Sequence, residues 1–202
     1  MKSAAARSYR QSVRAAAAEA TGERILDAFT RRLQDGWFDE ITLDEVARDA
    51  GVTVQTVIRR FGGKEGLLDS AHDRFGAAIR ARRATPKGDA KAAVAAIIED
   101  YEAVGDLILR VLAQEERYPP LKKVSDVGRA SHRAWTGEQF APWLERMDEP
   151  ARTAAHDALV VATDIYVWKL VRRDFGRSTE ALAATMRRLI AAALGQPEYA
   201  IF

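Results

Sequence analysis

Residues 43–61 read LDEVARDAGVTVQTVIRRF, and the spacing in this stretch predicts two short helices that cross at a steep angle. Helices in such close contact need a small side chain where they touch, and Ala47 supplies it. Gly51 suits the turn between them, because glycine readily adopts the left-handed conformation of a tight turn. Val52 and Val57 then occupy inward-facing positions. This is the spacing of a helix-turn-helix, a motif that places its second helix in the major groove of DNA.

Helical signals flank this motif on both sides. Residues 22–35 carry apolar side chains three and four positions apart, which predicts a preceding helix with one buried stripe. Thr42 is expected to begin the first helix of the motif, since a Thr followed three residues later by Glu45 forms a capping box. A longer helix is predicted over residues 64–83. We therefore expect a three-helix, helix-turn-helix domain over residues 21–84.

The remainder of the chain also shows helical periodicity and no clean strand-like alternation. The stretch Thr85-Pro86-Lys87-Gly88 predicts a domain boundary, because Pro and Gly interrupt helices. Further helices are expected over residues 89–104, 106–117, 120–146, 151–173 and 179–194. The sequence thus predicts an all-α chain of about nine helices, with a second helical domain over residues 85–202.

Composition argues against several kinds of site. The chain has no cysteine, which rules out disulfides and thiolate metal ligands. Its three histidines, His72, His132 and His156, lie far apart without metal-ligand spacing, and His132 is expected to be exposed among charged residues. No phosphate-binding glycine loop, nucleophile elbow or HExxH motif occurs. We therefore expect no enzyme activity, no catalytic residue, no metal and no cofactor.

Targeting signals are also lacking in the sequence. No apolar run is long enough to span a bilayer, and the first residues lack the leucine-rich stretch of a secretory signal. A cytoplasmic protein without a membrane partner is therefore expected. The net charge is only +2, so bulk charge does not by itself indicate a nucleic-acid partner.

The N-terminal segment is more basic than the rest of the chain. Residues 1–20 carry four basic residues and one acidic residue, namely Lys2, Arg7, Arg10, Arg14 and Glu19. Two interpretations of this basic arm stay open. It is either a flexible, solubilising tail or a segment that contacts DNA.

The helix-turn-helix lies within a longer resemblance. Residues 25–50, ILDAFTRRLQDGWFDEITLDEVARDA, and residues 51–68, GVTVQTVIRRFGGKEGLL, resemble the tetracycline-repressor-like (TetR) family of bacterial transcription regulators. The resemblance covers about residues 22–75. Residues 87–202 fit the family only in their length and number of helices. It implies a sequence-specific DNA-binding regulator with double-stranded operator DNA as its partner.

The resemblance implies that nine residues in and around the second helix of the motif contact DNA. They are Thr42, Thr53, Val54, Gln55, Thr56, Ile58, Arg59, Arg60 and Lys64. Val54 and Gln55 would face base edges, since Gln can pair with adenine and Val can contact a thymine methyl group. Arg59 would face either a base or the phosphate backbone.

Phosphate contacts are implied beside these base contacts. Thr53 would cap the recognition helix and touch a phosphate, and further phosphates would be bound by Thr56, Arg60 and Lys64. The chain departs from the family at position 58, where a Tyr usually contacts a phosphate through its hydroxyl group. Ile58 has no hydrogen-bond donor, so that hydrogen bond is absent or is replaced by an apolar contact.

The last two predicted helices are expected to form a homodimer. The helix over residues 151–173 is apolar on more than one face, which a helix with a single buried stripe does not need. Together with residues 179–194 it could form an intersubunit four-helix bundle, which the family resemblance also implies. The alternative is that both helices are buried within one subunit.

Aromatic residues concentrate in the middle helices, where the resemblance implies a pocket for a small-molecule effector. The predicted pocket residues are Tyr101, Trp135, Trp143, Asp164 and Trp168. Pockets of this kind are mostly apolar with a few polar groups. The alternatives are that the aromatic rings form an ordinary core and that Asp164 faces solvent.

These observations predict a transcriptional repressor that a small hydrophobic or aromatic effector releases from its operator. The alternative is a helical small-molecule-binding protein whose DNA-reading head is degenerate, and Ile58 is the feature that favours it. The sequence does not identify the effector, the operator or the regulated genes.

Overall fold

A computed structural model describes the backbone of residues 2–202 and the side chains of residues 12–202. This part of the chain contains ten α-helices and no strand, which confirms the predicted all-α fold. The helices are α1 Lys2–Asp35, α2 Leu43–Ala50, α3 Val54–Phe61, α4 Lys64–Arg82, α5 Ala90–Leu112, α6 Pro119–Gln139, α7 Ala141–Leu144, α8 Ala151–Ala162, α9 Ile165–Trp168 and α10 Thr179–Leu194. A π-helical segment, Lys169–Asp174, continues α9. No helix in the described range is long and apolar enough to cross a membrane.

The backbone contacts divide the chain into two compact units. The first contains Met1–Phe75 and Glu116–Pro120, and the second contains Gly76–Glu115 and Leu121–Phe202. The division falls inside α4, which contributes residues to both units, whereas the sequence placed a boundary after that helix. We call these the N-terminal unit and the C-terminal unit.

Helix α1 begins much earlier than the sequence pattern suggested. It starts at Lys2, so Gly22 lies inside the helix and does not open it. The physical reason is that residues 2–21 are rich in alanine and contain no Pro or Gly, which favours helix. The predicted basic arm therefore belongs to α1. Its side chains up to residue 11 lie outside the described residues, and Arg14 is exposed.

The core of the N-terminal unit is built from the apolar stripe of α1. Ile25 and Phe29 are fully buried, and α1 packs against α2 through this face. Val46 of α2 and Val57 of α3 are also fully buried. At about 1.5–3 kcal/mol for each fully buried apolar side chain, this cluster is the main stabilising term for so small a unit.

The C-terminal unit has a larger core, in which α5, α8, α9 and α10 meet. Helix α5 is one helix where the sequence predicted two, over residues 89–104 and 106–117, and the contact made by Gly105 between them explains the difference. A Cβ atom on Gly105 would lie 2.7 Å from the indole ring of Trp168. Gly105 therefore allows α5 and Trp168 to approach closely, and it does not interrupt the helix. Trp168 itself is fully buried.

Two other predicted helices are shorter than expected. The one predicted over residues 120–146 is interrupted at Phe140, which begins the short helix α7 just before Pro142. The one predicted over residues 151–173 is interrupted at Asp164, whose side chain accepts a hydrogen bond from the backbone N–H of Tyr166. A local side-chain cap competes with continuation of the preceding helix, which is why periodicity alone missed this break.

A buried polar cluster lies at the C-terminal end of α4. The Asp100 carboxylate is fully buried and accepts hydrogen bonds from Nε of Arg82 at 2.7 Å and Nε of Arg83 at 2.8 Å. The Arg83 guanidinium also lies over the ring of Tyr101 and 3.3 Å from Nδ1 of His132. His132 is therefore half-buried, and the expectation that it is exposed was wrong. Its sequence neighbours are charged, but its own side of α6 faces Arg83.

Candidate nucleic-acid interface

Local capping interactions set the angle between α2 and α3. The N–H of Glu45 donates to the Thr42 hydroxyl at 3.3 Å, and the N–H of Thr42 donates to the Glu45 carboxylate at 3.1 Å. This is the predicted capping box. Gly51 has a φ of 66°, in the left-handed region, so the chain turns sharply after α2. The Thr53 hydroxyl then caps α3 by accepting a hydrogen bond from the N–H of Thr56.

Helix α3 presents a free outer surface. Val57 is fully buried, so the residues about half a turn away must face outward. At 100° per residue, Arg59 lies near the centre of that outward face, one turn after Gln55. Both are exposed, and Ile58 beside them is 40% exposed. Val54 and Thr56 are half-buried at the edges of the face.

The two arginines of α3 have no carboxylate partner in the part of the chain that the structure describes. Elsewhere in this unit Arg32 pairs with Glu45 and Asp49. By contrast, no carboxylate among residues 12–202 forms an ion pair with Arg59 or Arg60. A positive surface without internal counterions is what recognition of the phosphate backbone requires.

Lys64 has a different environment from the other predicted DNA contacts. Its Nζ donates to three backbone carbonyls, those of Phe38 at 2.8 Å, Asp39 at 3.2 Å and Ile41 at 3.0 Å. Burial lowers the pKa of the Lys64 ammonium, although the nearby Asp39 carboxylate opposes this shift. These contacts hold the short turn that precedes α2, and they occupy all three ammonium hydrogens.

A cleft runs between α1 and α3 on one flank of the outward face. It is lined by Ala18 and Thr21 from α1 and by Thr56, Arg59 and Arg60 from α3. The α1 side of this cleft was not predicted from the sequence. The feature of the sequence that marks this side of the cleft is Gly22, a single glycine within an alanine-rich helical pattern.

Residues 25–71 match the family described as bacterial regulatory proteins, tetR family. The chain carries a TetR-family DNA-binding domain. The match covers α1 from Ile25 onward, all of α2 and α3, and α4 as far as Ala71. The capped, tightly turned pair of α2 and α3 is therefore the helix-turn-helix of the matched domain. The predicted resemblance is thereby confirmed over residues 25–71.

Solved structures extend the likeness in fold beyond the TetR-family domain. A protein from Pseudomonas aeruginosa PAO1, described as a candidate transcriptional regulator, superimposes with a TM-score of 0.67 over 90% of this chain and 93% of its own, at 15% identity. The fatty acid degradation regulator FadR from Bacillus halodurans superimposes with a TM-score of 0.57 over 86% of this chain and 94% of its own, at 20% identity. No curated protein sequence matches the chain.

An apolar surface is exposed on the last helices of the C-terminal unit. Leu170 and Phe175 are 46% and 60% exposed, and Leu189 is 42% exposed. These three residues line one cleft between the π-helical segment and α10. Tyr166 is similarly exposed just before them. Several large apolar side chains left open in one place mark an interaction surface.

The predicted effector residues do not share one surface. Tyr101 and Trp168 are core residues, with ring centroids 6.1 Å apart. Trp135 is half-buried and donates from its indole N–H to the carbonyl of Arg83. Trp143 packs beside the core, and Asp164 caps α9. None of the five lines the cleft beside α3 or the cleft on α10.

Proposed function

We propose that this TetR-family regulator is a repressor that binds its operator as a homodimer and is released by a small hydrophobic or aromatic effector. The single observation that carries the DNA-binding part is the outward face of α3. Gln55 and Arg59 lie on it in helical register, exposed and without carboxylate partners in the described chain. If this face packed against the protein's own interior, it could not contact DNA, and the proposal would have no basis.

The proposed base contacts follow from this geometry. Gln55 can pair bidentately with adenine, and Arg59, at the centre of the face, can pair bidentately with guanine. Val54 at the start of α3 can contact a thymine methyl group. Ile58 replaces a hydroxyl–phosphate hydrogen bond with an apolar contact, so it changes the kind of contact without blocking entry of the helix into the groove. Thr53 supplies a phosphate contact at the helix start.

Dimerisation is proposed through the surface around Leu170, Phe175 and Leu189. One helix-turn-helix reads few base pairs, and dimers of such domains bind half-sites about 34 Å apart. A second copy of the chain is a suitable occupant, because a two-fold interface pairs the same apolar patch with itself. The predicted helices 151–173 and 179–194 contain Leu170 and Leu189, and Phe175 lies between the two ranges; α8, α9 and the π-helical segment divide the first predicted helix.

Effector release is proposed to act through α4. This helix begins directly after the helix-turn-helix, and Arg82 at its end binds the buried Asp100 of α5. An effector that binds to the C-terminal unit would act in this way if it altered how Asp100 of α5 holds the end of α4. Release requires that the effector bind the DNA-free conformation more tightly than the DNA-bound one.

The test uses the purified full-length chain and fluorescently labelled DNA fragments from beside its own gene. Wild type should bind one fragment specifically, and Gln55→Ala and Arg59→Ala should each weaken that binding by about tenfold or more. Arg146→Ala, an exposed arginine of the C-terminal unit, is the matched control and should bind as wild type. Unchanged binding by both α3 variants would overturn the assignment. A chain that binds small molecules but no DNA would support the degenerate-head alternative.

A further inference from the structure

The buried polar cluster at the end of α4 carries more positive than negative charge. Arg82 and Arg83 share one carboxylate, that of Asp100. His132 also faces Arg83 but adds no charge at pH 7, because burial and the Arg83 charge lower its pKa to about 4. Within residues 12–202, no second carboxylate forms an ion pair with either arginine. One positive charge of the cluster is therefore not balanced.

The unbalanced charge lies on Arg82 and not on Arg83. All three nitrogens of the Arg83 guanidinium have partners, since Nε and Nη2 contact the Asp100 carboxylate at 2.8 and 2.7 Å and Nη1 lies 3.3 Å from Nδ1 of His132. Arg82 donates to the same carboxylate through Nε, at 2.7 Å. Its Nη2 is buried and forms no hydrogen bond with any described residue. A buried donor without an acceptor costs free energy, so this atom marks a place for one.

Arg82 is also the member of the ion-paired trio that a ligand can reach. Its side chain is 26% exposed, whereas Arg83 is buried and Asp100 is fully buried. The two terminal nitrogens of a guanidinium form an edge that matches the two oxygens of a carboxylate. The hydrogen bond to Asp100 uses Nε and leaves this edge of Arg82 available. A carboxylate bound there would bring one negative charge, which balances the cluster.

Asp100 can release Arg82 without becoming an unpaired buried charge. Arg83 keeps both of its contacts with the carboxylate, so the buried ion pair persists. The high cost of breaking a buried pair applies to a charge that is left without any partner, which is not the case here. Because Arg82 is the last residue of α4, its release changes how α5 holds that helix.

We propose that Arg82 binds the carboxylate of the effector, which is therefore an organic acid with one negative charge and a hydrophobic or aromatic body. The acid exchanges with Asp100 at Arg82 and loosens the contact between α5 and the end of α4. A phosphate monoester fits less well, because its two charges exceed the one positive charge of the cluster. This proposal rests on the effector release proposed above and names the chemical class of the effector.

Ligand-induced stabilisation tests the site in the full-length chain without any need for DNA. The probes are sodium benzoate and sodium hexanoate; benzamide, sodium chloride and inorganic phosphate serve as controls at equal concentration. A ligand that binds only the folded chain raises Tm, by about 2–4 °C at a concentration several times its Kd. We expect this shift with at least one carboxylate and with none of the controls. No shift from either carboxylate, or an equal shift from benzamide or phosphate, would overturn the proposal.

Two substitutions separate the site from a general effect of charge. Arg82→Lys keeps the positive charge beside Asp100 but removes the two-nitrogen edge, so carboxylate binding should weaken by about tenfold. Arg80 is exposed on the same helix, about 200° around the axis from Arg82, and Arg80→Gln should respond as wild type. Each variant is compared with its own Tm without ligand, so a change in stability alone does not affect the result. An unchanged response in Arg82→Lys would overturn the site.

Operator binding distinguishes this proposal from the function on which it rests. The carboxylate that raises Tm should weaken operator binding by wild type about tenfold or more, and Arg82→Lys should resist this effect. Carboxylate binding that left the operator Kd unchanged would overturn the role of the site in release. If wild type bound no DNA fragment, the proposed function would fail, and the Tm measurements would still decide whether Arg82 binds a carboxylate. If wild type bound its operator but neither carboxylate, only this further proposal would fail.

Discussion

His132 should make the stability of the C-terminal unit depend on pH. Its Nδ1 lies 3.3 Å from Nη1 of Arg83, and its Nε2 lies 3.2 Å from the Thr163 hydroxyl and 3.4 Å from the carbonyl of Val160. Burial is the main cause that lowers the pKa of His132 to about 4; the Arg83 charge contributes to this shift, and the Val160 carbonyl opposes it. The folded protein therefore holds this imidazole neutral at pH values where an unfolded chain would protonate it.

The magnitude follows from the two pKa values. An unfolded histidine titrates near 6.5, so between pH 6.5 and pH 4 the unfolded chain binds one proton more than the folded chain. The free energy of unfolding consequently falls as the pH falls through this window, by about 1.4 kcal/mol per pH unit at its steepest. From about pH 7 to about pH 5 the loss from His132 amounts to about 2 kcal/mol. Above the unfolded pKa this contribution is fully present.

Urea denaturation at a series of pH values measures this loss. Tryptophan fluorescence suits the C-terminal unit, which contains Trp135, Trp143 and Trp168. Protein concentration must be constant, because any self-association would shift the apparent stability. His132→Gln should flatten the pH dependence whatever its absolute stability. The wild-type His132 ring should also stay neutral to about pH 5 by NMR titration. Equal pH slopes in wild type and His132→Gln would refute the reasoning.

Three further predictions concern single groups. Asp100→Asn should lower the free energy of unfolding by about 3–5 kcal/mol in urea, because it leaves the buried Arg83 and the half-buried Arg82 without their carboxylate; Asp126→Asn, in an exposed ion pair, should have a much smaller effect. Lys64→Ala should lower Tm, since three carbonyls lose their donor, yet leave the salt slope of DNA binding unchanged; a reduced slope would restore its predicted phosphate contact. Leu170→Glu should shift sedimentation from dimer to monomer without loss of helical circular dichroism, whereas Val127→Glu, equally exposed on α6, should not; a dimeric Leu170→Glu would place the interface elsewhere.

Most of the helix-turn-helix could be predicted, because the interactions that shape it join residues close together in the sequence. The Thr42–Glu45 capping box, the left-handed Gly51 and the Thr53 cap each join groups within a few residues of one another. Interactions of this kind are encoded in short residue spacings, so a single sequence is enough to find them. The same holds for the inward position of Val57, which follows from helical periodicity.

Helix boundaries failed where a distant residue decided them. Gly105 reads as a helix break in isolation, but the indole of Trp168, 63 positions later, occupies the space beside it. His132 reads as exposed among its charged neighbours, but Arg83 lies against its ring. In both cases the deciding contact joins residues on different helices, and no local spacing reports it.

The sequence by itself determined that the chain is helical, that residues 42–61 form a capped and tightly turned pair of helices, and which face of α3 points outward, because these follow from interactions over one or two helical turns. Only the tertiary structure decided that Gly22 seats the Arg60 guanidinium, that Lys64 caps the carbonyls of the turn before α2, and that Asp100 binds the end of α4. Each of those contacts spans 17 or more positions. They form only after packing has brought separate helices together, so their partners are set by the fold and not by the neighbouring residues.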